Sequence, residues 1–371
     1  MNELSIKQIT DWHELNKEKN LFGRRIVFEM IEPIIKNLSD QFIIDQLGHS
    51  FNQIPIYKIT IGKGKTKVLL WSQMHGNEST GTKAIFDMFQ FFDNPGKNVS
   101  IASQILKECT LVFIPLLNPD GAELYTRKNA QGVDLNRDVL DLRAPESKIL
   151  MTFLKEFSPK FCFNLHDQRT IYSVGKENRP ATISFLAPSE NAERAVTKGR
   201  KVTMAVITGM NKVLQDIIPN QVGRYTDEFY PTATGDNFQK AGHHTILIEA
   251  GHSKDDYSRE MVRKYNFIAL LTGIHLIAIE TKLTNYKPYF DIPNNEKYYL
   301  DIIYKNVFLS NRDQIVDVGV IFKEELVSNE IIFRPIVEHI RDLSKYNGNT
   351  IIDYKGKVFD DEDKLKEIIE Y

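Results

Sequence analysis

The stretch that decides the fold is VLLWSQMHGNESTGTKAIFDMFQFFDN, residues 68–94. It opens as a β-rich apolar run and breaks into small and polar residues from Ser72. Apolar side chains then return at Ala84, Ile85, Met88, Phe89 and Phe92. That spacing is helical, and Ser79 or Thr80 stands where a helix N-cap belongs. Strand, short loop and helix in succession make an α/β unit. The loop holds His75 and Glu78, three positions apart. Taken alone the pair is a weak signal for a metal, because a glutamate also complements the dipole of a helix start.

The same pattern recurs outward from this point. CTLVFIPLLNPDG, KFCFNLHD and HTILIEAGH are apolar or β-rich runs that stop abruptly at polar residues, and helical periodicity lies near 145–157, 191–215 and 258–280. The expected architecture is therefore an open, mostly parallel or mixed β-sheet flanked by helices. Ligands bind outside the carboxyl ends of strands in such sheets. The residues after each run are His75 and Glu78, then Asn118–Gly121, then His166 and Asp167, then Glu249 and His252. Four run ends converge on one rim.

Before this core, residues 24–47 carry helical spacing around Pro33, and residues 1–50 are expected as a helical lead-in. IPIYKITIGKGKTKVLLWSQM, residues 54–74, reads as a hairpin turned at GKGK. The main domain is expected to span 1–285. A linker, NYKPYFDIPNN, then leads into a small α+β appendage over 286–371, whose strands would also suit an extension of the main sheet.

Bulk properties narrow the function. The chain has 371 residues, 42% hydrophobic and 26% charged, with a net charge of −2, so no polyanion such as nucleic acid is indicated as the partner. The first twenty residues lack the apolar segment of a secretory signal, and no run approaches the roughly 20 apolar residues of a membrane helix. Cys109 and Cys162 sit in apolar stretches as expected buried free thiols. A cytoplasmic setting without membrane partners is the expectation.

A catalytic zinc takes three protein ligands and keeps a position for water. His75 and Glu78 would be a near pair, with His166 as a distant third. Glu249 closes an apolar run, where burial raises a carboxyl pKa toward the range of general acid–base work, although a salt bridge to an arginine fits equally well. Residues 117–138, LNPDGAELYTRKNAQGVDLNRD, set Arg127 and Arg137 in a loop of Asn, Asp and Gly residues. Arginine's planar fork suits a carboxylate; a solvated surface loop is the plainer alternative.

In combination HGNE, NPDG, RKN, GVDLNR, the LHD histidine and the IEAGH glutamate, over about residues 50–280, resemble the zinc carboxypeptidase family in type and order. The resemblance implies one zinc per chain held by His75, Glu78 and His166, with Asp134 orienting a ligand histidine. It implies Arg127 at the scissile carbonyl, Asn136 and Arg137 gripping the substrate's terminal carboxylate, and Glu249 as general base. Tyr230 aligns best with the tyrosine that closes over substrate, with Tyr225 as fallback, and Asp236 falls near the floor of the specificity pocket, where it would favour basic C-terminal residues. The implied substrate is a peptide with a free C-terminal carboxylate. Two alternatives stay open: an N-acyl amino acid deacylase of the succinylglutamate desuccinylase and aspartoacylase type, and a binding protein for peptide C-termini without chemistry.

Overall fold

The computed structural model describes residues 5–176 and 179–359. Its centre is an eight-stranded sheet in the order β1-β2-β4-β3-β5-β9-β7-β8. These strands are β1 (Ile43–His49), β2 (Pro55–Ile61), β3 (Thr66–Trp71), β4 (Cys109–Ile114), β5 (Phe161–Asp167), β7 (Ile183–Leu186), β8 (Val222–Arg224) and β9 (His244–Ala250). β4, β3, β5 and β9 run parallel, while β1, β2 and β7 pair antiparallel with their inner neighbours. A mixed, largely parallel sheet flanked by helices is what the periodicity predicts.

Both faces of the central strands are buried, which is why they read as continuous apolar runs. On β3, Val68 and Leu70 join one core with Leu111 and Phe113 of β4, whereas Leu69 and Trp71 join the other with Val112 and Ile114. The first core is covered by α1 (Ile6–Asn16), α2 (Phe28–Lys36), α3 (Thr80–Asp93), α4 (Val99–Glu108), α7 (Lys198–Gln215) and α9 (Glu260–Ile279). α5 (Pro119–Glu123) follows β4, and α6 (Pro145–Phe157) and α8 (Thr234–Lys240) cover the second core through Leu150, Phe153 and Phe238. α9 is long and apolar enough to cross a membrane, contrary to the expectation from the sequence, yet it lies 83% buried against its neighbours.

Two local expectations are corrected. Residues 54–74 are not a hairpin: β4 lies between β2 and β3. The glycines serve a crossing instead of a tight turn, since a Cβ on Gly64 would stand 1.9 Å from the Glu108 carbonyl carbon and one on Gly62 would stand 2.4 Å from Cys109 O. Only bare backbone passes the start of β4 so closely. The lead-in is also only half helical, because its FIIDQL segment forms the edge strand β1. An edge strand with one covered face carries too little pattern to be told from a helix turn.

The chain then returns along the cleft. β6 (Ser173–Val174) pairs with β10 (Asn295–Glu296), and the expected linker is packed, with Tyr289 fully buried and its hydroxyl accepting from Ala187 N at 3.1 Å. Beyond it β11 (Tyr299–Leu309), β12 (Gln314–Val327), β13 (Glu330–Arg341) and β14 (Asn347–Asp353) form a separate sheet, with β15 (Val358–Phe359) beside β11. Among the described residues from 286 to 359 the expected appendage holds strands and the short 3-10 turn Lys287–Asp291 but no α-helix, and residues 360–371 lie outside the described residues.

Candidate functional site

Strand pairing brings the site together. His166 and Glu249 are Cα partners in the parallel β5–β9 register, and Trp71 at the end of β3 pairs with Asn164 of β5. The loop after β3 therefore descends beside His166. Its turn depends on Gly76, where a Cβ would lie 2.0 Å from the Gly121 carbonyl carbon, so the HGNE and NPDG loops interlock backbone to backbone. Asn118 secures that contact, donating to Met74 O at 3.2 Å and accepting from Gly121 N at 2.8 Å. The NPDG motif is thus a support for the His75 loop.

The helix start behaves differently from expectation. Ser79 occupies the cap position of α3, but its hydroxyl donates to Arg24 O. Asp167 takes over, accepting from Thr80 N at 3.3 Å and from Thr80 Oγ1 at 2.7 Å. The residue after His166 thereby ties β5 to the first turn of the helix that carries Glu78's loop.

His75, Glu78 and His166 converge with their ligand atoms within 4.8 Å of one another. Nδ1 of His75 lies 2.9 Å from Glu78 Oε1, and Nδ1 of His166 lies 2.8 Å from Glu78 Oε2. The two Nδ1 atoms face each other at 3.1 Å, both rings buried. Tetrahedral ligands at zinc–nitrogen distances of about 2.05 Å would stand about 3.3 Å apart. Two ring nitrogens and a carboxylate at this spacing fit a single dication. Asp134 completes the arrangement, with Oδ1 3.1 Å from His75 Nε2, so the ring is held from behind with Nδ1 facing the cluster.

Arg127 bridges Asp134 and Glu78, with Nε 2.9 Å from Asp134 Oδ2 and Nη1 3.4 Å from Glu78 Oε1. Asp134 also caps the short turn Leu135–Arg137 by accepting from Asn136 N at 2.9 Å. That turn presents Asn136, whose Oδ1 accepts from Thr234 N at the start of α8, and Arg137, which is exposed above the Tyr230 ring at 5.2 Å.

Glu249 is buried, and its carboxyl group lies well above the usual carboxylate range through burial and through the nearby charges of Glu78 and Asp167. Tyr225 lies close enough for Glu249's charge, after burial, to raise its phenol. Tyr230 is 40% exposed, with its hydroxyl 3.0 Å from Glu228 Oε2. Asp236 lines the same cleft near Arg137, buried, with its carboxyl pushed up to about 6 by that burial. Of the eleven residues to which the resemblance gives a role, all but Asp134, which stands behind His75, line this cleft of about 540 Å³.

Several cleft residues besides Asp167 carry no signal in the sequence. Arg24, Arg259, Asp167 and Glu324 form a buried charge network: Arg24 meets Glu324 at 2.7 Å and Arg259 meets Asp167 at 3.1 Å. Tyr125 also donates to Glu324, so β12 of the C-terminal sheet reaches the cleft, where Phe322 and Lys323 line it too. Asp167, directly after His166, was the single one of these within reach of motif reading. His243, His244 and His252 stay outside the cluster; His252 Nε2 lies 3.2 Å from Asn349 Oδ1 and His243 Nδ1 lies 2.6 Å from Pro159 O. Cys109 and Cys162 are buried free thiols, and burial pushes Cys109 up to about 12.

The zinc carboxypeptidase family profile matches residues 29–142, which include His75, Glu78, Arg127 and Arg137. Among curated proteins, Carboxypeptidase SOL1 of Arabidopsis thaliana is 29% identical over 136 residues, covering 32% of this chain and 28% of that protein. The chain thus matches little more than a quarter of that relative's length. Among solved structures, a metallo-carboxypeptidase from Burkholderia cenocepacia superposes with a TM-score of 0.56 at 16% identity, over 68% of this chain and 69% of the other. Bovine thrombin-activatable fibrinolysis inhibitor, solved with a tick carboxypeptidase inhibitor, gives 0.53 at 15% identity, over 75% and 98%. At these identities the structural likeness concerns the fold.

Proposed function

We propose, for a chain that belongs to the zinc carboxypeptidase family, that it hydrolyses the last peptide bond of peptides with a free C-terminal carboxylate, using one zinc ion held by His75, Glu78 and His166. One observation carries this reading: the two histidine Nδ1 atoms and the Glu78 carboxylate converge directly beside Glu249. When bound there, zinc supplies a Lewis acid and lowers the pKa of water. The chain's own groups do the rest. The Glu249 carboxylate takes a proton from the attacking water and returns it to the leaving amine nitrogen. The Glu78 charge, one of those that raise Glu249, would be offset where that carboxylate held a dication. Arg127 offers N–H donors to the scissile carbonyl as its oxygen gains charge. Arg137 and the Asn136 amide grip the terminal carboxylate, with Tyr230 closing over that end, and Tyr225 lines the cleft beside Glu249.

The test is a hydrolysis screen over C-terminal residues together with metal analysis of the purified protein. Release of single C-terminal amino acids that stops with a chelator and returns with zinc is the expected result. Hydrolysis of N-acyl amino acids in preference to blocked dipeptides would instead select the deacylase, and metal-bearing protein without turnover would select the binding protein.

Asp236 sets a further expectation. As the carboxyl at the pocket floor, it would favour lysine or arginine at the substrate C-terminus only when ionised. With its pKa at about 6, that preference grows as pH rises through 6. The kcat/KM ratio for C-terminal Lys over Leu is expected to climb about three- to tenfold between pH 5 and 7.5, which corresponds to ~1 kcal/mol. A ratio flat with pH, or equal cleavage of Phe and Lys, removes Asp236 from the role.

A further inference from the structure

The cleft does not end at Glu249. A second cavity of about 550 Å³ opens beside it and shares Tyr172, Tyr225, Thr226 and Tyr230 with it. Its near wall is Tyr172 and Tyr225, with rings 5.6 Å apart and hydroxyls at 3.3 Å. Its far wall is Tyr298 and Tyr346, edge to face at 5.2 Å, the residues immediately before β11 and β14 of the C-terminal sheet. The β6–β10 pairing, Val174 with Asn295 and Ser173 with Glu296, links the two walls through the main chain. These four rings are only half-buried, although each is already packed on its pair.

We infer that this tyrosine groove holds the part of a peptide substrate upstream of the scissile bond, so that the C-terminal sheet is a working part of the substrate-binding surface. The inference rests on the carboxypeptidase reading. A substrate whose terminal carboxylate sits at Arg137 has no chain beyond it on that side. None of Asn136, Arg137 and Asp236 lines the groove, which leaves the cleft past Tyr172 and Tyr225, so a peptide enters it with residues upstream of the carboxylate. The groove's chemistry suits an extended peptide: tyrosine offers a rigid apolar face with a hydrogen-bonding tip at low entropic cost. Its charged residues, Glu296 and Lys297, are of opposite sign, which gives a polyanion no hold. Apolar or prolyl side chains against the rings, with main-chain groups meeting the hydroxyls, is the occupancy the groove favours.

The experiment compares kcat/KM of the zinc-loaded full chain on an N-blocked dipeptide and on a pentapeptide with the same C-terminal pair and apolar upstream residues. In the unmodified protein the pentapeptide is expected to be better by about tenfold or more, since each ring contact is worth a few-fold. In the double variant Tyr298→Ala, Tyr346→Ala that ratio falls toward about 1, through KM. If the double variant does not fold, Tyr298→Ser alone, at a half-buried position, is expected to lower the ratio in part. An unmodified protein that cleaves both lengths equally, or variants that keep the ratio, overturn the groove while leaving the peptidase reading intact. An unmodified protein that cleaves neither overturns both.

Discussion

Glu249→Gln is expected to lower turnover of a C-terminal peptide bond by about 10²- to 10⁴-fold while one zinc stays bound per chain. The amide keeps the volume and the strand position beside His166, so the three candidate ligand side chains are undisturbed. None of the described residues hydrogen-bonds the Glu249 carboxyl group, so the substitution breaks no supporting contact. The carboxyl is also costly to hold charged, being buried near Glu78 and Asp167, and the neutral amide should if anything raise the melting temperature. Zinc content by elemental analysis, kcat and a thermal melt measured together separate the roles. Full activity in the variant would exclude Glu249 as the base, and loss of zinc with activity would make it a structural member of the metal site instead.

Asp87→Ala should destabilise the fold by about 3–5 kcal/mol, because it removes the two-pronged partner of the buried Arg263 guanidinium, which is left one carboxylate contact, Glu260 at 3.1 Å, and it also unpairs His13. Asp87 on α3 is fully buried and receives Arg263 of α9 at 2.6 and 2.8 Å, His13 of α1 at 2.9 Å and Glu18 N at 2.9 Å. Arg263 in turn donates to Leu21 O and Glu18 O, both at 2.6 Å. One carboxylate thus joins the N-terminal segment to the two helices behind the central strands. Burial by itself would raise its pKa; the hydrogen bond from His13 and the charge of Arg263 reverse that and hold it below the usual range. Denaturant midpoints of the variant and the parent provide the measurement. A variant within about 0.5 kcal/mol of the parent, the range of ordinary surface changes, would mean that water already reaches Arg263.

The part of the fold that was legible in sequence is the part with both faces buried. Val68–Trp71, Leu111–Ile114, Phe161–Leu165 and Ile246–Ile248 read as apolar runs because helices cover the sheet on either side. The pairing of those strands was not legible. Nothing in GKGK distinguishes a tight turn from a crossover; the difference lies in how closely Gly62 and Gly64 approach Glu108 and Cys109, residues more than forty positions away. β1 was misread for a related reason, since its exposed face leaves no alternation to find.

What the sequence marked by itself was a set of candidates: His75, Glu78, His166 and Glu249 at the ends of apolar runs, and Arg127, Asp134, Asn136 and Arg137 in the motif-rich loop that follows one of them. Such motifs persist because each needs its own local turn, and local turns are written in neighbouring residues. What only the tertiary structure decided was which distant surfaces meet there. The Arg24–Glu324 pair, the seating of Asp167 on the α3 N-terminus and the facing tyrosine pairs join segments up to 300 positions apart. Their contacts depend on the register of two separate sheets, and register is a property of long-range packing that no single stretch of chain encodes.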